Sequence, residues 1–295
     1  MGVERWRVSD EESGARLPEV LAGHLSLPSL KQARRLIESG RCSVNGRIRR
    51  FASAVVAAGD FIEVVPGPPK KRRAECSIVY DDAWMFVINK PPGITVEKEI
   101  IEKAVQRKCY LVHRIDKDTS GLLMIAKQPE MATMLELLFR ERSIKKEYLA
   151  IVDGEMKQTH GIIRWSLELK RRGEGGVYWG ITKGPLGKSA YTEFSLVTAK
   201  NNASLVHLLP MTGRTHQLRV HMASLGAPVL GDYQYADQFR CALRPGRHLL
   251  HAWRLSMHHP LLGRHMEWTA PLPEDMMEAA QALFGVDVER KICML

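Results

Sequence analysis

Short apolar segments rich in β-branched and aromatic residues recur between residues 76 and 285, a pattern typical of strands. They mostly follow one another without an intervening helix. The predicted strands are SIVYDD (77–82), WMFVINK (84–90), GLLMIAK (121–127), EYLAIVDG (147–154), KSAYTEFSLVTAK (188–200) and ASLVHLLP (203–210). This order favours an α+β domain on a mainly antiparallel sheet over a doubly wound fold.

Three further segments of this region are predicted to be helical. PEMATMLELLFRERS (129–143) has Pro129 at its first position, where a helix tolerates proline. THQLRVHMASLG (215–226) ends at Gly226, and PEDMMEAAQALFG (273–285) lies near the end of the chain.

A helical period appears earlier, in SLKQARRLIESGRCSVNGR (29–47). Its apolar stripe consists of Leu30, Ala33, Leu36 and Ile37. Ser29 with Gln32 predicts a capping box at the start of the helix, and Gly40 predicts a left-handed stop. Most cations fall off the stripe, and they are Lys31, Arg34, Arg35 and, just past the helix, Arg41.

The helix is followed by signals for a small antiparallel sheet. Asn45-Gly46 is a strong signal for a two-residue hairpin, and GDFIEVV (59–65) alternates like a half-buried strand. The segment PGPPKKRRAE (66–75) then has three prolines and four consecutive cations, which predict a stiff basic linker. The chain therefore divides into a small unit at 14–65, a linker at 66–75 and a large domain at 76–285.

Composition narrows the class of protein. The 295 residues include 43 Lys and Arg against 33 Asp and Glu, a net charge of +10 that favours a nucleic acid or an anionic membrane as partner. No apolar run approaches the roughly 20 residues needed to span a bilayer, and the polar N-terminus does not resemble a signal peptide. The five cysteines are widely spread without a C-x-x-C pair, which predicts a reduced, cytoplasmic, soluble protein.

One carboxylate stands out against this basic background. Asp116 lies just before an apolar strand in HRIDKDTSGLLMIAK (113–127). An isolated acid there is usually a solvated loop residue, and Asp118 suits that ordinary turn role better. Asp116 differs because it belongs to a longer pattern, whose second half is GRTHQLRVHMASLGAPVLGDYQY (213–235).

These two segments, together with INKPPG (88–93), KKEYLAIV (145–152) and LHAWRLSMHHP (250–260), closely resemble the RluA-type pseudouridine synthases of the large ribosomal subunit. The resemblance covers about residues 76–270, and residues 14–65 resemble the S4 RNA-binding domain that precedes the catalytic domain in many members. The resemblance implies a cofactor-free, monomeric isomerase that acts on RNA. Ribosomal RNA is the first candidate substrate, and transfer RNA is the alternative.

The resemblance also implies the catalytic residues. Asp116 corresponds to the catalytic aspartate, Arg219 to its cationic partner, and Tyr148 to the tyrosine that stacks on the target base. These enzymes break the N1–C1′ bond of uridine and join C5 to C1′. The aspartate either attacks the sugar or abstracts a proton to form a glycal, and the sequence leaves both routes open. Because burial disfavours an ionised carboxylate and a fixed arginine offsets this, Arg219 is predicted to lie against Asp116 in a groove.

RNA-binding residues follow from the same resemblance. Arg114 is associated with the region of the flipped-out base, Lys90 lies beside the site, and Arg214 is a candidate for a phosphate contact. On the S4-like unit the candidates are Lys31, Arg34, Arg35 and Arg41. WSLELKRRGEGGVYWGITKGPLGKSAYT (165–192) is predicted only as a basic, glycine-rich hairpin with possible RNA contacts.

Two other hypotheses belong to different classes. A non-catalytic RNA-binding or ribosome-assembly protein would keep the fold without turnover, but the intact Asp116, Arg219 and Tyr148 argue against it. A metal-dependent RNA hydrolase would use the histidines of the last third of the chain. His216 and His221 are five residues apart, whereas helical zinc ligands stand four apart with a glutamate between them, so no metal site is predicted.

Overall fold

The computed structural model describes residues 3–65, 76–173 and 176–295. The segment 66–75, which the sequence predicts to be a linker, lies outside the described residues. The described residues before it form a sheet of four strands, and those after it form a sheet of eleven.

The N-terminal unit packs two helices on its small sheet. Its elements are β1 (Glu4–Arg7), α1 (Leu17–His24), α2 (Leu30–Glu38), β2 (Cys42–Val44), β3 (Arg47–Arg49) and β4 (Phe61–Val64). The strands lie in the order β1-β4-β2-β3, and each pair is antiparallel. Ala33 and Ile37 of α2 are buried in one cluster with Ile62 of β4, and Leu36 packs against that cluster. Leu30, the first residue of the predicted stripe, is exposed instead.

The structure corrects two details of the N-terminal unit. The hairpin at Asn45 and Gly46 is confirmed, with φ of 53° and 76°. The capping box is wrong, because the Ser29 hydroxyl makes no capping bond. The backbone N–H of Gln32 donates to the Ser29 carbonyl at 3.0 Å instead. A start at residue 14 also leaves out β1, which pairs with β4 along its whole length.

Every strand predicted for residues 76–285 is present among the eleven strands of the large sheet. They are β5 (Ser77–Asp81), β6 (Met85–Lys90), β7 (Tyr110–Leu111), β8 (Ser120–Ala126), β9 (Lys145–Asp153), β10 (His160–Gly173), β11 (Gly176–Thr182), β12 (Lys188–Lys200), β13 (Ala203–Pro210), β14 (Leu250–His258) and β15 (His265–Thr269). The helices are α3 (Lys98–Val105), α4 (Pro129–Arg140), α5 (Gln217–Ser224), α6 (Glu274–Phe284) and α7 (Val288–Cys293). The three predicted helices correspond to α4, α5 and α6, whereas the sequence missed α3 and α7.

The main path of the large sheet runs β11-β10-β12-β13-β9-β14-β8-β6-β5, with β15 beside β14 and β7 beside β8. Among the described residues every pairing in it is antiparallel except that of β14 with β8, which is parallel. The α+β class on a mainly antiparallel sheet is therefore confirmed.

The two faces of the large sheet have different cover. Leu149 and Ile151 of β9 pack in the cluster that contains α6 and α7, and α4 covers the same face further along. Ala150 and Val152, which point the opposite way, pack with α5, and α3 lies on that second face. Because side chains alternate along a strand, Tyr148 also lies on the second face, beside α5.

Gly121 allows the close approach of β8 to β14. Its φ is 107°, and a Cβ built on it would lie 2.1 Å from the Ala252 carbonyl oxygen. We expect Gly121→Ala to lower the free energy of unfolding by about 2–4 kcal/mol, measured by urea denaturation. The matched control is Gly263→Ala, at φ 63° with open space around it, which should lose only about 1 kcal/mol. Equal losses in the two variants would show that the contact with β14 is unimportant.

Candidate active site

Two segments that are distant in sequence meet on the face of the sheet that carries α5. Asp116 lies in the loop between β7 and β8, and Arg219 lies in the first turn of α5. The Arg219 Nη1 atom donates a hydrogen bond of 3.1 Å to Asp116 Oδ2, so the predicted contact is present. The parallel pairing of Ser120 with His251 places β14 beside the end of the Asp116 loop.

Arg219 is held from behind by a second carboxylate. Its Nε and Nη2 atoms donate to the two oxygens of Asp232 at 2.7 and 2.8 Å, and Nη2 also donates to Gln234 Oε1 at 2.8 Å. The fork of the guanidinium matches Asp232 bidentately, which leaves Nη1 for Asp116. The Asp232 side chain is 1% exposed and that of Asp116 is 20% exposed, so Asp116 is the carboxylate that opens toward solvent.

The charge of Arg219 is secure in this setting. Burial lowers the pKa of its guanidinium, but Asp232 and Asp116 raise it by more, so the net shift is upward. A guanidinium also remains protonated at any physiological pH. Asp116 therefore faces a permanent positive charge whose orientation is fixed by Asp232.

Asp116 opens into a groove of about 750 Å³. Besides Arg219, six cations line the groove, and they are Arg114, Arg140, Arg142, Lys145, Lys146 and Arg214. Arg114 is exposed, and Arg214 donates from Nε to the Ser189 carbonyl at 3.1 Å. The Tyr148 side chain also lines the groove, which therefore combines an acid, an aromatic ring and a cationic rim.

The structure corrects the prediction that Lys90 binds RNA. The sequence placed it among RNA-binding residues, but its side chain is completely buried. Its Nζ donates to the carbonyls of Pro91 and Lys117 at 2.9 and 3.0 Å. Burial lowers its pKa to about 7. Lys90 thus ties the Asp116 loop to the end of β6, and it has no access to RNA.

The next two residues of the same loop are anchored as well. Buried Arg247 donates from Nη1 to the Asp118 carbonyl at 3.0 Å. The hydroxyl of Thr119 lies 2.9 Å from His248 Nε2, and both side chains are buried. Consecutive anchors directly after Asp116 restrict the motion of its backbone, which is the support that a preorganised catalytic group needs.

Comparisons with known proteins agree with this geometry. The family model described as RNA pseudouridylate synthase matches residues 85–224. The chain is 31% identical to ribosomal large subunit pseudouridine synthase D of Haemophilus influenzae, over 94% of this chain and 93% of the relative. It is 34% identical to synthase D of Pasteurella multocida, over 92% and 91%.

The chain belongs to the RluA-type family of RNA pseudouridine synthases. It is therefore an isomerase that makes pseudouridine in RNA. A solved structure, human RNA pseudouridylate synthase domain containing 4, is similar with a TM-score of 0.58 and 25% identity over 70% of this chain and 92% of that one.

Tyr148 of this pseudouridine synthase lies next to Asp116 in the groove. Burial and, to a smaller degree, the Asp116 carboxylate raise the pKa of its hydroxyl. The phenol is therefore neutral at physiological pH. A neutral ring beside the acid is suited to stacking on a base that has left its own stack.

The cationic candidates of the synthase's N-terminal unit fall into two groups. Lys31, Arg34 and Arg35 are exposed on α2. Arg41 departs from this face, because it is half buried over the ring of Tyr233 at 5.8 Å and burial lowers its pKa. It lines a separate crevice of about 390 Å³ between the N-terminal unit and the large domain.

Several functional residues of the synthase were missed from sequence. Asp232, Gln234 and Tyr235 lie in the GDYQY stretch of the second motif, for which the resemblance implied no individual roles. For His216 the resemblance implied only an RNA-facing or core position without metal. The signal that could have identified Asp232 is its position, 13 residues after Arg219, in a motif that resembles the family along its whole length.

The histidines of this synthase bind protein groups. His207 contacts Glu147, His221 contacts Thr192, and His251 contacts Ser120. Within residues 3–65, 76–173 and 176–295, no group of three or more His, Cys, Asp or Glu side chains is placed to hold a metal ion.

None of the helices described here has both the length and the apolar character needed to cross a bilayer.

Proposed function

We propose that this protein isomerises uridine to pseudouridine in the RNA of the large ribosomal subunit, with Asp116 as the catalytic carboxylate. The observation that carries the proposal is the Asp116–Arg219 hydrogen bond of 3.1 Å at the groove, with Asp232 fixing the arginine from behind. The substrate assignment is supported by relatives whose names specify the large ribosomal subunit.

The chemistry asks for an ionised carboxylate. The N1–C1′ bond breaks and its electron pair goes to the uracil; the base turns, C5 joins C1′, the C5 proton leaves and N1 gains a proton. Asp116 starts the reaction either by attacking C1′ or by removing a proton from the sugar, and both routes need its negative charge. Arg219 supplies a fixed positive charge 3.1 Å from this carboxylate.

The groove provides for a flipped-out nucleotide. Its volume of about 750 Å³ is in the range of ligand sites, roughly 300–1,000 Å³. Tyr148 stacks on the extruded uracil, and Arg114 contacts the everted nucleotide. Arg214, which also lines the groove, contacts the RNA backbone.

The N-terminal unit adds affinity in this proposal. We assign it as an S4-like RNA-binding domain, whose exposed Lys31, Arg34 and Arg35 on α2 contact phosphates. Such contacts give binding that depends on salt and little on sequence. Transfer RNA as the substrate, a monomeric state and a cytoplasmic location stay predictions.

The function is tested by mapping pseudouridine. Purified protein is incubated with large-subunit RNA transcripts and with precursor particles, and modified positions are read by pseudouridine-specific sequencing. We expect one or a few uridines to be converted, and the same positions to lack pseudouridine in RNA from cells without the protein. Transfer RNA transcripts are incubated in parallel, and conversion in transfer RNA alone would contradict the substrate assignment. No conversion in any of these RNAs would contradict the proposed function.

A further inference from the structure

His216 has an unusual position beside the carboxylate. It is the residue before α5 and has a left-handed backbone, with φ 56° and ψ 17°. Its Nε2 atom lies 3.9 Å from Asp116 Oδ2, which is too long for a direct hydrogen bond. A non-glycine residue in this conformation is strained, and here the strain points a ring nitrogen toward the acid.

We assign the tautomer of His216 from its other contact. Its Nδ1 atom lies 2.7 Å from the hydroxyl of Tyr235. That hydroxyl accepts a hydrogen bond of 3.0 Å from the backbone N–H of Trp179 on β11, and we assign its own proton to the hydrogen bond with Nδ1. A neutral imidazole that accepts at Nδ1 carries its proton on Nε2.

The imidazole is neutral at working pH. Burial, followed by the charge of Arg219, lowers the pKa of His216 to about 4. The Nε2–H group therefore faces Asp116 as a neutral donor, while Asp116 is an acceptor only. A substrate group that bonds to both His216 and Asp116 must accept a hydrogen bond from Nε2–H and donate one to the carboxylate. A hydroxyl group can do both.

An internal RNA nucleotide offers one free hydroxyl next to the reacting carbon. Its 3′ and 5′ oxygens are esterified, and the 2′-hydroxyl is both donor and acceptor. We infer that His216 donates a hydrogen bond from Nε2–H to the ribose 2′-hydroxyl of the target nucleotide. This contact holds C1′ and C2′ against Asp116, and His216 takes up no proton. The inference rests on the proposed function and adds a substrate contact to it.

The hairpin of β10 and β11 gains a role in this arrangement. Its Trp179 amide orients Tyr235, and its Val177 carbonyl accepts from Gln234 Nε2 at 2.8 Å. Gln234 in turn accepts from Arg219. One strand of the hairpin thus positions both groups that flank Asp116, through Tyr235 on His216 and through Gln234 on Arg219.

The test compares two amide substitutions that differ by one methylene. His216→Asn suits the left-handed backbone and its amide reaches only the Nδ1 position, whereas His216→Gln extends an N–H to about the Nε2 position. Single-turnover rates are measured at saturating RNA, once with uridine and once with 2′-deoxyuridine at the target. We expect His216→Asn to lower the rate on uridine by about 10–100-fold, since the ribose is no longer aligned.

His216→Gln should recover most of that rate, and His216→Asn should change the rate on deoxyuridine by less than about 3-fold, because the contact is already missing. If the wild type does not convert RNA with 2′-deoxyuridine at the target, the inference is tested by competition binding instead. The wild type should then bind it about 3–10-fold more weakly than uridine RNA, the effect of one neutral hydrogen bond, and His216→Asn should bind both equally.

A wild-type rate for His216→Asn on uridine, or the same loss on both RNAs, would overturn the inference. Equal discrimination between the two RNAs by wild type and variant in the competition assay would do the same. These results are distinct from failure of the proposed function, in which the wild-type protein itself converts no uridine RNA.

Discussion

Asp116→Asn is expected to abolish pseudouridine formation and leave RNA binding nearly unchanged. Asparagine keeps the shape and can still accept the hydrogen bond from Arg219, but it has neither the charge nor the basicity that both routes require. We expect the single-turnover rate to fall by at least about 10⁴-fold and the free energy of unfolding to change by less than about 1 kcal/mol. The rate is followed by pseudouridine sequencing, and the Kd by filter binding.

The reciprocal control separates binding from chemistry. Arg34→Glu combined with Arg35→Glu reverses charge on the exposed face of α2. It should weaken RNA binding and reduce its salt dependence, while the rate at saturating RNA stays near that of the wild type. A substantial rate in Asp116→Asn would refute its catalytic role. An unchanged Kd in the α2 double variant would refute the role proposed for the N-terminal unit.

Arg219→Met should damage both activity and stability. Asp116 loses its fixed counter-charge, and Asp232, whose side chain is 1% exposed, is left as a buried unpaired carboxylate. Breaking a buried pair in this way costs about 3–5 kcal/mol of unfolding free energy. We expect that loss in urea denaturation, together with a rate reduction of at least about 10³-fold, in the range seen when a key electrostatic group is removed.

A double variant distinguishes the two effects of Arg219. Arg219→Met combined with Asp232→Asn removes the unpaired buried charge, so it should regain a substantial part of the lost stability. It should regain none of the activity, because Asp116 still lacks its cation. If the double variant were as unstable as Arg219→Met alone, Asp232 would not be the source of the destabilisation.

Much of the candidate site was predictable from the sequence because its parts lie in long motifs. The HRIDKDTSG and THQLR segments indicated Asp116 and Arg219, and Tyr148 followed from its motif. The strands were equally accessible, because β12 and β13 are continuous segments of strand-forming residues with clear ends. The short polar helix α3 and the strand β1 lack such signals, and their existence depends on the sheets they pack against or extend.

The residues that support the site were not accessible in the same way. A lysine next to Pro-Pro-Gly suggests an exposed turn. Lys90 is nevertheless buried, and its Nζ donates a hydrogen bond to a carbonyl 27 residues later in the chain. Asp232 has no local pattern that separates it from a loop acid. The role that we propose for His216 depends on a left-handed backbone conformation and on a tyrosine hydroxyl 19 positions away.

Strand β14, which pairs in parallel with β8, lies in the last fifth of the chain and is therefore synthesised late. During translation the Asp116 segment emerges long before β14 and the Arg247 side chain that anchors its loop. Long-range pairings of this kind form late in folding. A chain that ends before β14 therefore lacks both the pairing of Ser120 with His251 and the Arg247 anchor of the Asp116 loop, and we expect it to make no pseudouridine.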